Sequence, residues 1–179
     1  MKKYLVAIDP SINNLGYAVF NGKKLIECGL FKCSKRSDTY LTKAREMIEK
    51  VHGVCNDISK KPVPWGNLQI VTEIPQHFGS GGYLARESGD VYKLTFICGM
   101  IYNIVDDVIA YTPNEWKQQL PKCVVRNRLA KLSIYGKVNW FKKTKRYCDS
   151  CKKEHWENDL DHNIVDAIGI GHKHLFGRV

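Results

Sequence analysis

Apolar residues near the start of the chain fall into three short runs that are separated by turn-forming residues. Tyr4–Asp9 is a β-rich run that ends in a carboxylate, and Pro10–Asn14 is typical of a turn. Leu15–Phe20 is the second run, Asn21-Gly22 favours a tight hairpin, and Lys24–Cys33 is the third run. The pattern predicts that the chain opens with an antiparallel three-stranded meander.

The rest of the chain alternates between helical and strand periodicity. Apolar positions at helical spacing predict a helix that is capped by Ser37 or Asp38 and ends at about Ser59. The later predicted elements are a strand at Leu68–Ile74, a helix from about Ala85 to Val105, a strand at Val108–Tyr111, a helical turn from Thr112 and a last helix from Asp159 or Asp161. The order βββαβαβα predicts an α/β fold with a mixed five-stranded sheet, three antiparallel strands and then parallel ones, flanked by helices.

The length of the chain bounds its organisation. A chain of 179 residues suits one domain, and we expect that domain to span residues 1–179. Residues 136–158 are basic, contain cysteines and show no clear periodicity, so we expect an irregular insertion there. No apolar run approaches the 18 residues or so of a membrane span, so no membrane association is expected.

Three carboxylates stand where a sheet of this kind would gather them. Asp9 ends the first strand, Glu73 lies near the end of the fourth, and Asp166 lies one turn into the last helix. If the first and fourth strands are parallel neighbours, Asp9 and Glu73 emerge at one edge, where the last helix can bring Asp166. Each acid also has a structural interpretation, Asp9 as a turn cap above all. A carboxylate in an apolar strand or helix is costly without a partner, which favours a site for Glu73 and Asp166.

Clustered carboxylates are the oxygen ligands that Mg²⁺ prefers. Two such ions about 4 Å apart can activate a water and stabilise the leaving oxygen of a phosphodiester. The three acids therefore indicate phosphodiester hydrolysis with divalent cations.

The positive charge of the chain is concentrated in one segment. The net charge is +10, and residues 117–153 hold twelve Lys or Arg against one acid. Trp140, Phe141 and Tyr147 are interleaved with these cations, a pattern that suits a nucleic acid, although a solubilising face is the alternative. The candidate contacts to nucleic acid are Lys117, Arg126, Arg128, Lys131, Lys142, Lys143, Lys145 and Arg146.

The seven cysteines do not suggest a disulfide framework. Their number is odd and no export signal is evident, so we expect reduced thiols in the cytoplasm. Cys148 and Cys151 form a CxxC pair with His155 shortly after it, which is half of a structural zinc site. Cys123, a C-terminal histidine (His172 or His174) or a second copy of the chain could complete that site, and a knuckle of reduced thiols is the alternative.

Four segments in order resemble the RuvC-like Holliday junction resolvases, especially the small phage-type members. Leu5–Ser11 with Leu15–Val19 looks like the first family motif, and Ile70–Glu73 looks like the second. Pro113–Lys117 resembles the segment before the family's DNA-contacting region, and Asp161–Ile168 looks like the last motif.

The resemblance implies an RNase H-like fold, a homodimer, Mg²⁺ or Mn²⁺, and paired nicks across a four-way DNA junction. It makes Asp9, Glu73 and Asp166 metal ligands. The fourth ligand stays open between His162, Asn163 and Asp161. Helical spacing puts His162 on the same face as Asp166, as a ligand or general base, whereas Asp161 could instead cap the helix.

The loop after Glu73 carries two aromatic residues. Phe78 and Tyr83 flank the glycine-rich stretch 79–82. In the family this region approaches the centre of the junction, and an aromatic ring can wedge between unstacked bases. Packing of both rings at a dimer interface is the alternative.

The sequence therefore predicts a metal-dependent, structure-selective endonuclease that resolves four-way or branched DNA. The alternatives are another RNase H-like nuclease that acts on flaps or RNA–DNA hybrids, and a non-catalytic nucleic-acid-binding module. A fragment of a sugar kinase or actin-like ATPase also begins with an apolar strand and an Asp. The short length and the basic segment disfavour that last class.

Overall fold

The computed structural model describes residues 4–34, 39–60, 67–76, 89–118, 120–132, 135, 138, 144–148, 152–157 and 162–179. Its main sheet contains β1 (Tyr4–Asp9), β2 (Asn14–Asn21), β3 (Lys24–Lys32), β4 (Leu68–Glu73) and β5 (Val108–Tyr111). The helices are α1 (Tyr40–Ser59), α2 (Asp90–Ile101), α3 (Pro113–Trp116), α4 (Lys122–Ala130) and α5 (His162–Phe176). β6 (Thr144–Cys148) and β7 (Lys153–Glu157) form a separate antiparallel hairpin.

The strand order explains how residues far apart in sequence reach one edge. The order across the sheet is β3-β2-β1-β4-β5. β1 is antiparallel to β2 and parallel to β4, and β4 is parallel to β5. Ile8 pairs with Thr72, so Asp9 and Glu73 are the next residues of two parallel neighbours. The predicted mixed five-stranded sheet is confirmed, with its first and fourth strands adjacent.

Both faces of the central strand are buried, which explains why β1 is an unbroken apolar run. Successive side chains of a strand point to opposite faces. Val6 and Ile8 pack with α1 and α2 on one side, whereas Leu5 and Ala7 pack with α3, α4 and α5 on the other. Of the described helices, none is both long and apolar enough to cross a membrane.

α5 lies unusually close to the sheet, and a glycine allows that approach. A Cβ at Gly16 of β2 would overlap the backbone carbonyl of Asn163 in α5. The Asn163 side-chain amide, which is buried, donates a hydrogen bond to the backbone carbonyl of Asn14. β2 therefore fixes the first turn of α5, the turn that leads to Asp166.

Two predicted element ends were wrong. α1 is capped by Thr39, not by Ser37 or Asp38, because Thr39 and Thr42 form a reciprocal capping box. The second helix ends at Ile101 instead of Val105, since the chain turns at 102–104. The predicted helix start at Ala85 and the residues that were expected to cap α5, Asp159 and Asp161, lie outside the described residues.

The basic region is more regular than predicted. Residues 144–148 and 153–157 pair as a hairpin, which corrects the expectation that 136–158 is irregular. The helix α4 was not predicted, because only Val125 and Leu129 of its nine residues are buried. Such a narrow apolar stripe is hard to distinguish from a loop in a sequence this rich in cations.

The close approach of α5 generates a test with a matched control. We expect Gly16→Ala to lower the free energy of unfolding by roughly 1–3 kcal/mol, since overpacking a tight contact forces the backbone to shift. Gly53→Ala, which adds a methyl group on an exposed face of α1 with nothing within 4 Å, should instead raise it by roughly 0.5–1 kcal/mol. Urea denaturation of both variants measures the difference, and equal stabilities would contradict the close packing of α5 on β2.

Candidate active site

The three predicted carboxylates meet at the carboxyl-terminal edge of β1 and β4. Asp9 and Glu73 end these two strands, and Asp166 comes from the second turn of α5. Burial raises the pKa of Asp9 well above its usual range, and the negative charges of Asp166 and Glu73 raise it further. The charges of both other acids therefore act on Asp9, as expected for one cluster of like charges.

Glu73 is held by two groups from α3 and its C-terminal end. The indole Nε1–H of Trp116 donates a hydrogen bond to Glu73 Oε2, and the Lys117 Nζ lies 3.8 Å from the same oxygen. Trp116 is only 2% exposed, and its ring fills the space that a side chain at Gly169 would need. Burial raises the pKa of Glu73, whereas Lys117 and the indole hydrogen bond act in the opposite direction.

Asp166 is the most deeply buried of the three acids, with 3% of its surface exposed. Lys122, the first residue of α4, places its Nζ 2.9 Å from Asp166 Oδ2. The other oxygen, Oδ1, is buried and has no hydrogen-bond partner within the described part of the chain. A buried carboxylate oxygen without a partner is costly, so this atom is suited to a ligand.

The chemistry of this cluster suits a divalent cation, although its side chains are not yet in ligand geometry. Among the described residues, no three His, Cys, Asp or Glu side chains are arranged to hold one metal ion together. The donors are nevertheless carboxylate oxygens, which Mg²⁺ prefers, and one of them is an unsatisfied buried atom. Two ammonium groups, from Lys117 and Lys122, lie beside the acids and offset part of their charge.

The candidates for a fourth ligand are separated by the structure. His162 is the first residue of α5 and is exposed. Asn163 is buried and its amide bonds to β2, which gives it a structural role in positioning the helix. Asp161 lies outside the described residues. The fourth ligand therefore stays a prediction. Of the three candidates, Asn163 is the one whose side chain holds α5 against β2.

The predicted contacts to nucleic acid differ in their surroundings. Arg128 donates to the backbone carbonyl of Val179 at 2.9 Å, and Lys131 is exposed. Arg126 lies one turn after Lys122 on α4, and its Nε is buried without a hydrogen-bond partner among the described residues. The backbones of Lys145 and Arg146 lie in β6. Phe78, Tyr83, Lys142 and Lys143 lie outside the described residues.

Lys117 was predicted to contact nucleic acid, and the structure places it within the carboxylate site, beside Glu73. Its side chain is 18% exposed, its Nζ lies near Glu73, and the same Nζ is 4.7 Å from the centre of the Trp116 ring. The site thus contains a cation that is held from two sides.

The predicted zinc ligands stay a prediction. Cys148 is the last residue of β6, and the backbone of His155 in β7 pairs with that of Arg146. Cys151 lies outside the described residues. Cys148 and His155 are thus on neighbouring strands of one hairpin.

Two residues of the candidate site were missed by the sequence analysis. Trp116 and Lys122 contact Glu73 and Asp166, from which they are far apart in sequence. A tryptophan in a polar helical turn that begins with a Thr112–Glu115 capping box was the one local sign of a special role. Lys122 gave no such sign, because it is one of twelve cations in its segment.

Comparison with known proteins supports the fold. No family model and no curated protein sequence matches the chain. A structure of Thermus thermophilus RuvC is 20% identical with a TM-score of 0.57, and T. thermophilus RuvC in complex with a Holliday junction substrate is 19% identical with a TM-score of 0.56. Both alignments cover 97% of this chain and 93% of the other. The predicted RNase H-like arrangement is confirmed: the chain has a RuvC-like fold.

Proposed function

We propose that this protein is a divalent-metal-dependent endonuclease that cuts branched DNA, four-way junctions in particular. The observation that carries the proposal is the convergence of Asp9, Glu73 and Asp166 at one sheet edge, with an unsatisfied buried oxygen on Asp166. Three mutually repelling carboxylates are costly to a fold and are typical of sites that bind cations. The similarity to a RuvC solved on a Holliday junction favours branched DNA as the substrate.

Mg²⁺ or Mn²⁺ is the proposed cofactor, with Asp9, Glu73 and Asp166 as ligands and with two ions in each site. Bound cations of this kind activate a water and stabilise the leaving oxygen of a phosphodiester. Asp161 and His162 are the proposed contributors of a further ligand or of the general base. A structural Zn²⁺ on Cys148, Cys151 and His155 is a separate proposal.

The chain's own residues contribute orientation and positive charge. Trp116 orients the Glu73 carboxylate, because the indole that donates to it is buried and packs against Gly169. Lys117 and Lys122 reach the acids through single ammonium groups, so they can turn towards a phosphate once cations neutralise the carboxylates. Arg126, one turn further along α4, extends this positive edge.

The proposed DNA surface continues from this edge into the basic segment. The helix α4 and the strand β6 come from residues 117–153, where the positive charge is concentrated, and β7 pairs with β6. Cations on such a surface bind phosphates by releasing counterions. We propose that residues 1–179 form one nuclease domain in which 136–158 is a DNA-binding insertion. We also propose that the protein is related to the phage-type resolvases and that it is located in the cytoplasm.

The proposed assembly is a homodimer that pairs through α2. This helix buries Ile97, Cys98 and Ile101 in its own core, yet Tyr92 is 75% and Phe96 is 41% exposed. A helix that is apolar on both faces is usually buried on both, so a partner is expected to cover the exposed face of α2. A two-fold dimer would present two active sites to a junction, whose own symmetry is two-fold.

Nicking assays on four substrates distinguish the proposed function from its alternatives. We expect Mg²⁺-dependent cutting of a synthetic four-way junction, with little cutting of linear duplex, flap or RNA–DNA hybrid of the same sequence. Similar cutting of all four would indicate a general RNase H-like nuclease. Tight junction binding without any cutting, in Mg²⁺ or Mn²⁺, would indicate a non-catalytic binding module.

Removing one carboxylate should separate cutting from binding. We expect Asp9→Asn to lower the rate of junction cutting by at least about 100-fold, since even groups that only orient a metal ligand contribute about 10–100-fold. Junction affinity in EDTA should change less than about threefold, because the basic surface is intact. Single-turnover cutting and fluorescence anisotropy measure the two effects. Wild-type cutting by Asp9→Asn would remove Asp9 from the site.

The same variant should stabilise the metal-free protein at high pH. Because the pKa of Asp9 is raised by folding, the folded state loses stability as the pH rises from the usual pKa of 3.8 to the raised folded value. In EDTA at pH 8, Asp9→Asn should therefore melt a few degrees higher than wild type, as about 1 kcal/mol corresponds to roughly 2–4 °C. The difference should vanish below pH 4.

The control for this stability effect is Asp106→Asn, which alters an exposed aspartate before β5, at the opposite end of the sheet. In EDTA at pH 8 its melting temperature should match that of wild type, because Asp106 is exposed and lies away from the carboxylate cluster. A lower melting temperature for Asp9→Asn at pH 8 would mean that the Asp9 charge is stabilised by the fold, contrary to the like-charge cluster.

Charge on α2 should disrupt the proposed dimer. We expect Tyr92→Glu to halve the mass seen by sedimentation, because a carboxylate would be buried without a partner in an apolar interface. Ile26→Glu places the same charge on an exposed apolar position of β3 and should leave the mass unchanged. A wild-type protein that sediments as a monomer, or a dimer that tolerates Tyr92→Glu, would contradict pairing through α2.

A further inference from the structure

We propose that a pocket beside Asp9 binds one nucleotide of the DNA strand next to the cut, an inference that rests on the proposed function. The pocket has a volume of about 410 Å³, within the range of small-ligand sites. Three segments line it: the turn at residues 10–13, the first turn of α1 and the first turn of α2. Neither the carboxylates nor the basic segment includes any of these residues.

The pocket lies at the same end of the sheet as the carboxylates and is next to Asp9 along the chain. Its wall begins at Pro10, the residue directly after Asp9, and goes on through Ser11, Ile12 and Asn13. A DNA strand whose phosphodiester lies on Asp9 must pass over neighbouring surface on at least one side. This pocket provides such a surface on the face of the sheet that α1 and α2 cover.

Two ammonium groups from different helices give the pocket a preference for phosphate. Lys43 of α1 donates to Asn13 Oδ1 at 3.1 Å, and Lys93 of α2 lies 2.9 Å from Asp90 Oδ1. The Lys93–Asp90 pair is exposed, and exposed ion pairs contribute little, so a phosphate can compete for Lys93. Both lysines stand in the first turn of a helix, where the backbone dipole also favours an anion. Together they offset the single acid of the lining.

An aromatic ring gives the same pocket a surface for a base. Tyr40 is 46% exposed, and its ring is held edge-on against Phe96 with 6.0 Å between the ring centres. Ile12 and Leu94 add apolar surface to the lining. A held, exposed ring next to cations is the arrangement on which unpaired bases stack in proteins that bind single strands. A site for inorganic phosphate alone would need the lysines but not this ring.

The ring and the cations together point to a nucleotide whose base is unpaired or unstacked. Such nucleotides occur at branch points and are absent from the interior of a linear duplex. The pocket would therefore contribute to the choice of branched over linear DNA, through stacking on Tyr40 and phosphate contact at Lys43 and Lys93.

The test compares lysines at the two ends of one helix. Lys43 lines the pocket, whereas Lys60 caps the C-terminal end of α1, about 25 Å away, and has an exposed side chain paired with Asp57. We expect Lys43→Gln to weaken junction binding in EDTA by roughly 3–10-fold and to lower the slope of log affinity against log salt by about 0.9, the value for one phosphate contact. Lys60→Gln should change neither quantity.

Photocrosslinking of the wild-type protein tests the base contact without any mutation. Junctions that carry 5-bromodeoxyuridine at successive positions around the branch point should crosslink to Tyr40 from one or two of those positions, as mapped by mass spectrometry. Tyr40→Phe should keep the affinity for these junctions, and Tyr40→Ala should lower it about threefold or more. Crosslinks that map elsewhere, or a salt slope for Lys43→Gln equal to that of wild type, would overturn the proposal.

A failure of the proposed function would look different. A protein that cuts no junction could still bind a short single-stranded oligonucleotide, and the same Lys43 and Tyr40 measurements would be made on that complex in EDTA. Loss of affinity in Lys43→Gln with a Tyr40 crosslink would support the pocket without catalysis. Normal junction cutting with neither effect would reject the pocket and leave the catalytic proposal intact. Tyr40 packs against Phe96, so the crosslink also requires that the proposed pairing through α2 leaves the pocket open, and a second copy that covered Tyr40 would reject the pocket.

Discussion

The carboxylates of Asp9, Glu73 and Asp166 repel one another at one poorly solvated edge of the sheet, and the fold has to hold them close together. Asp9 shows the cost most clearly, because burial and both neighbouring acids disfavour its charged form. Strong repulsion of this kind would push a flexible loop apart. Here each acid is fixed by an element whose other residues are buried in a core, so the apolar packing opposes the electrostatic repulsion.

The position of α5 determines whether the cluster can form at all. Asp9 and Glu73 are neighbours through strand pairing, but Asp166 has to be brought from the end of the chain. Gly16 lets the helix backbone approach β2, the Asn163 amide bonds across to it, and Gly169 leaves room for Trp116. One helix therefore delivers an acid and, through that ring, helps to orient a second acid.

Strand and helix periodicity predicted the sheet and all three carboxylates of the cluster, because those features depend on local patterns. Burial beside a parallel neighbour explains why β1 is a continuous apolar run and why β4 is buried up to the acid at its end. Trp116 and Lys122 could not be placed in this way, since only the folded chain brings α3 and α4 to the acids. The helix α4 was missed because its apolar stripe is narrow, and the β6–β7 hairpin because its cations conceal any alternation. The fourth ligand could not be chosen from spacing alone, since the spacing left His162, Asn163 and Asp161 open. Only the folded structure shows that the Asn163 amide bonds to Asn14.

The two lysines suggest why a site with such strong repulsion can be stable before cations arrive. Lys122 lies within ion-pair distance of Asp166 and Lys117 is close to Glu73, so part of the negative charge is already offset. Each ammonium is attached to a flexible stem and can be displaced, unlike a guanidinium that is held by two parallel bonds. If divalent cations bound the carboxylates, as proposed, the attraction between the acids and the two lysines would weaken, and both ammonium groups would become available to phosphates. The pocket beside Asp9 fits this order of events, because Lys43 and Lys93 hold their own polar partners and do not depend on the carboxylate cluster. In the proposed function, this pocket would hold a DNA strand whether or not cations occupy the carboxylate cluster.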